Sequence, residues 1–169
     1  MNLRPALSSL LATAALLGAA LPAQAQAPAA PAVPQYGANV NYEQARRALA
    51  AAIADARRLN IPMAVAVVDT AGLLVAFERM DNTQTGSVAV AQDKAMSAAM
   101  FRRPTKVFQD AVAGGGAGLR ILTLRGASAV EGGLPLVVDG RIIGGIGVSG
   151  GSAEQDGEVA RAAVGALGR

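Results

Sequence analysis

Apolar residues recur with helical spacing in the segment that follows Asn41. Asn41 is a favoured helix N-cap, and Gln44 three positions later completes a capping box. Asn60 and Pro62 are residue types that end helices. The pattern therefore predicts an amphipathic helix over residues 42–59. Its predicted buried face consists of Ala45, Leu49, Ala52, Ile53, Ala56 and Leu59.

Four short apolar runs form two pairs, and each pair is joined by a tight turn. The runs are residues 63–69, 73–79, 135–138 and 141–148. Gly72 lies in the first turn, and Asp139-Gly140 in the second is typical of a type I′ hairpin. Strands joined by hairpins are antiparallel neighbours in a sheet. The chain is therefore predicted to contain two β-hairpins.

Three further segments are predicted to be helical. Ser87 is a candidate cap for a helix over residues 88–101, and Pro104 suits the first turn of a short helix that follows. Ser152 and Gln155 form a second capping box before the last helix. The helix over residues 88–101 is rich in alanine, which allows close packing on a sheet or on a partner helix. The second option predicts a homo-oligomer.

The order of these elements indicates the fold class. Helices at both ends with hairpins between them predict a layered α/β (α+β) sandwich with an antiparallel sheet. Residues 119–131 follow a glycine-rich stretch and are the hardest to interpret; one short strand is an option there.

The N-terminal segment differs in composition from the rest. Arg4 precedes an apolar stretch over residues 6–21, and a small-x-small cleavage site ends at Ala25, which is typical of a secretory signal peptide. A retained anchor is the alternative, but the stretch is short for a membrane span. We expect a periplasmic or secreted protein with no stable membrane span after cleavage. The predicted division is a signal peptide (1–25), an Ala/Pro-rich linker (26–38) and one domain (39–169).

The sequence contains neither cysteine nor histidine. The absence of cysteine excludes disulfides, thiol nucleophiles and zinc–thiolate sites. The absence of histidine removes the commonest general base and the commonest haem ligand. No metal site is predicted. The densest basic cluster comprises Arg102, Arg103 and Lys106, which we interpret as a solvated helix end. With 3% aromatic residues to stack on bases, no nucleic-acid partner is expected.

Residues 145–151 match two well-known motifs. Residues 147–151 match the G-x-S-x-G nucleophile elbow, but without histidine the only base open to Ser149 is Lys94, in a Ser–Lys dyad. Residues 145–150 match the G-x-G-x-x-G dinucleotide fingerprint. The acidic residue expected about 20 positions further on and a second parallel βα unit do not follow. Neither motif therefore predicts its usual function here.

Residues 149–151, called the glycine turn from here on, precede the last helix. Backbone N–H groups at a helix start bind carboxylates and phosphates, so the turn is a candidate anion site. The alternative is that Gly150 and Gly151 serve only a tight turn with positive φ and close packing. Both interpretations remain open. Glu154 and Asp156 already complement the positive end of the helix dipole.

Lys94 and the end of the second run are the other candidate site positions. Lys94 is either a surface lysine whose stem covers apolar neighbours or a cation aimed at the acid group of a ligand near the glycine turn. Residues 79–81 end a strand beside a loop, where binding sites tend to lie. Met96 and Met100 share one helix face, with core packing as the default interpretation and a ligand role as the alternative.

Several of these segments together resemble the GlcG/HbpS-like family, also found as the C-terminal domain of PduO-type proteins and called the haem-degrading domain. The matching segments are residues 62–69 with Gly72, 79–81, 87–95, 101–105, 132–135 and 144–156. The resemblance implies a five-stranded antiparallel sheet flanked by helices, profilin-like in layout. It also implies homo-oligomers, secreted members that bind haem, and members beside small-molecule oxidation pathways such as glycolate use.

The resemblance leads to a functional expectation with alternatives. We expect an exported protein that binds haem or a related tetrapyrrole; the second hypothesis is an enzyme or accessory protein acting on a small hydroxy- or keto-acid carboxylate. The third is a structural module with a vestigial pocket. Where a family member holds haem iron through an imidazole, this chain has none, so Tyr, Met, Lys or a hydroxyl would have to serve, or the iron would be weakly held. The propionates are then expected at the glycine turn and at Lys94 or an arginine. No catalytic residue is assigned. The candidate ligand-binding residues are Arg79, Met80, Asp81, Lys94, Phe101, Pro135, Ser149, Gly150 and Gly151.

Overall fold

The computed structural model describes residues 32–168. The predicted signal peptide and the first part of the predicted linker lie outside these residues. No helix in the described part of the chain is long and apolar enough to cross a membrane.

The helices and strands follow the order expected from the apolar pattern. In chain order they are α1 (Tyr42–Arg58), β1 (Ala64–Val68), β2 (Leu74–Arg79), α2 (Ser87–Phe101), α3 (Thr105–Ala113), a 3₁₀ helix (Gly116–Thr123), β3 (Gly133–Val138), β4 (Arg141–Ser149) and α4 (Ala153–Gly165). Both capping boxes are confirmed, at Asn41 with Gln44 and at Ser152 with Gln155. Asp139 and Gly140 both have positive φ, as a type I′ turn requires.

The predicted cap at Ser87 is wrong. Helix α2 includes Ser87 and has Gly86 at its N-cap position, with no side-chain cap. The Ser87 hydroxyl is buried and hydrogen-bonds to Ser149 instead. The Ser87 side chain therefore makes a long-range hydrogen bond instead of the local helix cap that the sequence pattern predicts.

The sheet is antiparallel, with strand order β2-β1-β4-β3. The implied fifth strand is wrong for residues 32–168, which form four. Residues 119–131 hold the end of the 3₁₀ helix and a loop rather than a strand. The described residues add one isolated parallel bridge, from Tyr36 to Ile142 on β4. Gly115 and Gly116 have positive φ, so the chain turns there and continues as the 3₁₀ helix instead of as an extended strand.

The two faces of the sheet are covered differently. Helices α1 and α4 cover one face with a core of larger aliphatic side chains, such as Ile53, Val67 and Ile146. Helix α2 covers the other face, and its buried alanines meet the alanines of β1. The result is a three-layer sandwich with one thick and one thin interface.

The thin interface depends on glycines in β3 and β4. A Cβ atom on Gly133, Gly145 or Gly147 would overlap backbone carbonyl oxygens of α2. Two glycines of the G-x-G-x-x-G match thus let a helix approach a strand closely. The alanine face of α2 is used within the protomer, so it no longer motivates the predicted homo-oligomer. That assembly stays a prediction on the family resemblance alone.

Candidate functional site

The glycine turn already holds a carboxylate from its own chain. Asp156 Oδ1 accepts a hydrogen bond from the N–H of Gly151 at 2.9 Å, and Oδ2 lies 2.7 Å from Lys94 Nζ. Lys94 Nζ also donates to the carbonyl oxygen of Val148 at 3.0 Å. A buried ion pair therefore joins α2, the end of β4 and the first turn of α4. An external anion at this turn would have to displace Asp156.

The surface position expected for Lys94 is wrong, because the side chain is only 1% exposed. Burial raises the pKa of Asp156 above its ordinary value, and the hydrogen bond and charge of Lys94 act in the opposite direction. Whether this lysine also contacts a ligand stays a prediction. Its ammonium already has two acceptors inside the protein.

Among residues 32–168, no base lies within hydrogen-bond reach of Ser149. Its hydroxyl lies 3.0 Å from that of Ser87, while Lys94 bonds to Asp156 and Val148. The Ser–Lys dyad is therefore not formed, and the G-x-S-x-G match carries no nucleophile.

The positive φ expected for Gly150 and Gly151 is also wrong, since neither has it. Close packing explains Gly150, because a Cβ there would overlap the carbonyl oxygen of Pro62. The turn therefore needs glycine for space rather than for a left-handed backbone.

Residues 79–81 lie at the same end of the sheet as the glycine turn. Ala64 on β1 pairs with Arg79 on one side and with Ser149 on the other. The Met80 N–H donates to the carbonyl oxygen of Met63 at 3.0 Å. A cavity of about 330 Å³ lies here, lined by Arg57, Glu78, Arg79, Met80 and Asp81. The structure thus brings this predicted triplet near the glycine turn.

Phe101 lies far from that end of the sheet. It ends α2, fourteen residues after Ser87, which at 1.5 Å per residue is about 21 Å along the helix axis. Its ring packs edge-to-face on Phe108, with centroids 5.2 Å apart. Pro135 pairs with Gly145, in the middle of β4. The predicted site residues therefore do not converge on one site.

A different pocket lies between α3 and the 3₁₀ helix. We call it the arginine pocket; it has a volume of about 340 Å³ and is lined by Arg103, Val107, Phe108, Ala111, Ala117, Gly118, Arg120, Ile121 and Leu124. A 3₁₀ helix has three residues per turn, so Gly118 and Ile121 lie above one another on the pocket side, and Ala117 and Arg120 form the neighbouring row. The volume falls in the usual range for small-molecule sites.

The polar side chains among the residues that line the arginine pocket are those of Arg103 and Arg120. Arg103 Nε donates to the Phe101 carbonyl oxygen at 3.0 Å, and its Cζ lies 5.7 Å from the Phe108 ring centroid. Within residues 32–168, neither Arg103 nor Arg120 forms an ion pair. The pocket therefore combines apolar walls with positive charge that no acid of the described chain neutralises.

Sequence reasoning missed this pocket. The basic cluster predicts a solvated helix end for Arg103, and the pattern of residues 119–131 offers only one short strand. The available signal was the run from Leu119 to Leu124, in which apolar residues flank Arg120 without a helical or strand period. No residue of the 3₁₀ helix is buried, so its apolar side chains are not explained by the core.

Known proteins of similar sequence and structure place the chain in a family. The model of the haem degrading protein HbpS-like family matches residues 40–165. Protein GlcG of Escherichia coli K12 is 37% identical over 110 residues, which are 65% of this chain and 81% of GlcG.

Two crystal structures resemble the fold. The HbpS double mutant of Streptomyces reticuli has a TM-score of 0.72 and 29% identity, covering 88% of this chain and 100% of that one. A PduOC:heme complex has a TM-score of 0.69 and 30% identity, covering 78% of this chain and 99% of that one. With the family model matching most of the domain, this chain belongs to the HbpS-like family.

Proposed function

We propose that this protein is exported and binds haem or a related tetrapyrrole. The observation that carries the proposal is the arginine pocket, whose apolar walls and two arginines without acid partners suit a flat apolar ligand with acid groups. Family membership and the similarity to a PduOC:heme complex support the same ligand class.

The residues of the pocket fit only part of a haem group. Apolar side chains and guanidinium groups match the macrocycle and its propionates. The iron finds no imidazole or thiolate, because the sequence has no histidine or cysteine. The lining residues therefore support binding of the ring and its propionates and offer the iron neither of these ligands.

A haem titration of the purified exported protein tests the proposal. We expect the Soret band to shift and intensify up to one haem per protomer, because the macrocycle leaves water for an apolar pocket. The control is a panel of small hydroxy- and keto-acids, followed by thermal unfolding. Stabilisation by an acid with no Soret change from haem would contradict tetrapyrrole binding and favour the carboxylate hypothesis.

Export is tested by the mass of the protein outside the cytoplasm. We expect cleavage after Ala25, so that the mature chain begins at Gln26. Replacing Ala25 with arginine should block cleavage, because signal cleavage needs a small residue at that position. Intact-mass spectrometry that finds Met1 retained in the exported wild-type protein would contradict a cleaved signal peptide.

A further inference from the structure

We propose that the arginine pocket recognises a tetrapyrrole by its ring and its carboxylates and not by its metal. The ligand class is then a planar apolar dicarboxylate, with or without iron. This inference rests on the proposed function and assigns it a site and a selectivity.

The lysines and tyrosines of the described chain lie outside this pocket. Lys94 is held in the buried ion pair, and Lys106 lies 2.7 Å from a carboxylate oxygen of Asp110. The Tyr36 hydroxyl donates to two backbone carbonyl oxygens at the end of α2, and Tyr42 lies on α1. No amine or phenol among the lining residues is therefore available to bind iron.

The methionines of residues 32–168 also lie elsewhere, and Met80 lines the cavity at residues 79–81. Met63 is fully buried in the core beneath α1 and α4. Met96 and Met100 lie against Gly72, on the turn that joins β1 to β2. Met100 is 46% exposed, so the core position expected for it is wrong. No thioether is found among the residues that line the arginine pocket. Arginine is the only lining residue type with a nitrogen or sulfur atom in its side chain.

What the pocket does offer is complementary to the edge and face of a porphyrin. Phe108, Ile121 and Leu124 present apolar surface for the ring. Arg103 and Arg120 present forked N–H donors, which bind carboxylates in a bidentate manner. Arginine is always protonated near neutral pH, so it cannot serve as an iron ligand. The lining side chains thus bind only the ring and the carboxylates, which haem shares with metal-free porphyrin.

The decisive measurement compares three ligands on the purified exported protein: haem, zinc protoporphyrin and metal-free protoporphyrin. Absorbance titrations should give dissociation constants that agree within about threefold, since the ring and carboxylates dominate the contacts. Haem binding more than about thirtyfold tighter than metal-free protoporphyrin would show a side-chain iron ligand and overturn the inference.

Two variants and an ester locate the site. Arg103→Ala and Arg120→Ala should each weaken metal-free protoporphyrin by about tenfold, as expected for one charge-assisted hydrogen bond. The dimethyl ester of protoporphyrin lacks both carboxylates, so wild type should bind it more weakly than either variant binds protoporphyrin. Neither substitution should change the affinity for the ester further. Arg47→Ala on α1 is the matched control, because Arg47 is an exposed arginine outside the pocket. Unchanged melting temperatures establish that each variant is folded.

The outcomes separate this inference from the function on which it rests. If no tetrapyrrole binds, the proposed function fails. If haem binds and metal-free protoporphyrin does not, the function stands and the metal-independent selectivity is wrong. If both bind and neither arginine variant changes the affinity, the assignment to the arginine pocket is wrong.

Discussion

Replacing Lys94 with methionine should lower the free energy of unfolding by about 3–5 kcal/mol, because it leaves the carboxylate of Asp156 buried without its cation. Both side chains are almost fully buried, and the ammonium–carboxylate distance is 2.7 Å. Equilibrium unfolding in urea at neutral pH measures the loss. The matched control is Lys106→Met, which breaks an exposed pair with Asp110 and should cost less than about 1 kcal/mol.

The pH dependence of the Lys94→Met variant gives a second check. Burial raises the pKa of Asp156, and the removal of Lys94 takes away the main opposing influence. The folded variant then binds a proton that the unfolded chain has released, so its stability falls as pH rises above the ordinary carboxyl range. The loss relative to wild type should therefore shrink on acidification toward pH 3.8, the ordinary pKa of an aspartate side chain.

A compensating substitution makes the ion-pair argument falsifiable. Asp156→Asn keeps an oxygen for the Gly151 N–H and removes the charge. The double variant Lys94→Met with Asp156→Asn should recover much of the lost stability and should lose the added pH dependence. If the double variant is less stable than Lys94→Met and keeps that pH dependence, the uncompensated carboxylate is not the cause.

Replacing Gly147 with alanine should destabilise the domain by about 1–3 kcal/mol, because the added methyl group has no space beneath α2. Its Cβ would overlap the carbonyl oxygen of Ala91 and the nitrogen of Ala95, and both are backbone atoms. The helix must then move away from the strand and lose contacts along the thin interface. Urea unfolding measures the effect.

A second glycine provides the control for this prediction. Gly165, the last residue of α4, has nothing within 4 Å of an added Cβ, so Gly165→Ala should leave stability unchanged or raise it by up to about 1 kcal/mol. Equal stability of Gly147→Ala and wild type would mean that α2 does not depend on the glycine for its close approach.

Features that depend on near neighbours in the chain were determined by the sequence itself. The capping boxes at Asn41 and Ser152, the Asp139-Gly140 turn and the helical period of α1 are all interactions within a few residues. The segments that resemble the HbpS-like family also led to the correct family and to an antiparallel sheet between helices. These predictions required no knowledge of which distant segments meet.

Features that depend on distant neighbours were decided only by the tertiary structure. Lys94 is buried because Asp156, sixty-two positions away, supplies the opposite charge, and no local pattern reports such a partner. Glycine is needed at position 147 because the backbone of α2 packs against it, and that contact exists only in the folded protein. The arginine pocket needs Arg103 from the loop between α2 and α3 and Arg120 from the 3₁₀ helix. Burial, close approach and convergence are properties of segments brought together, which is why periodicity and spacing could not predict them.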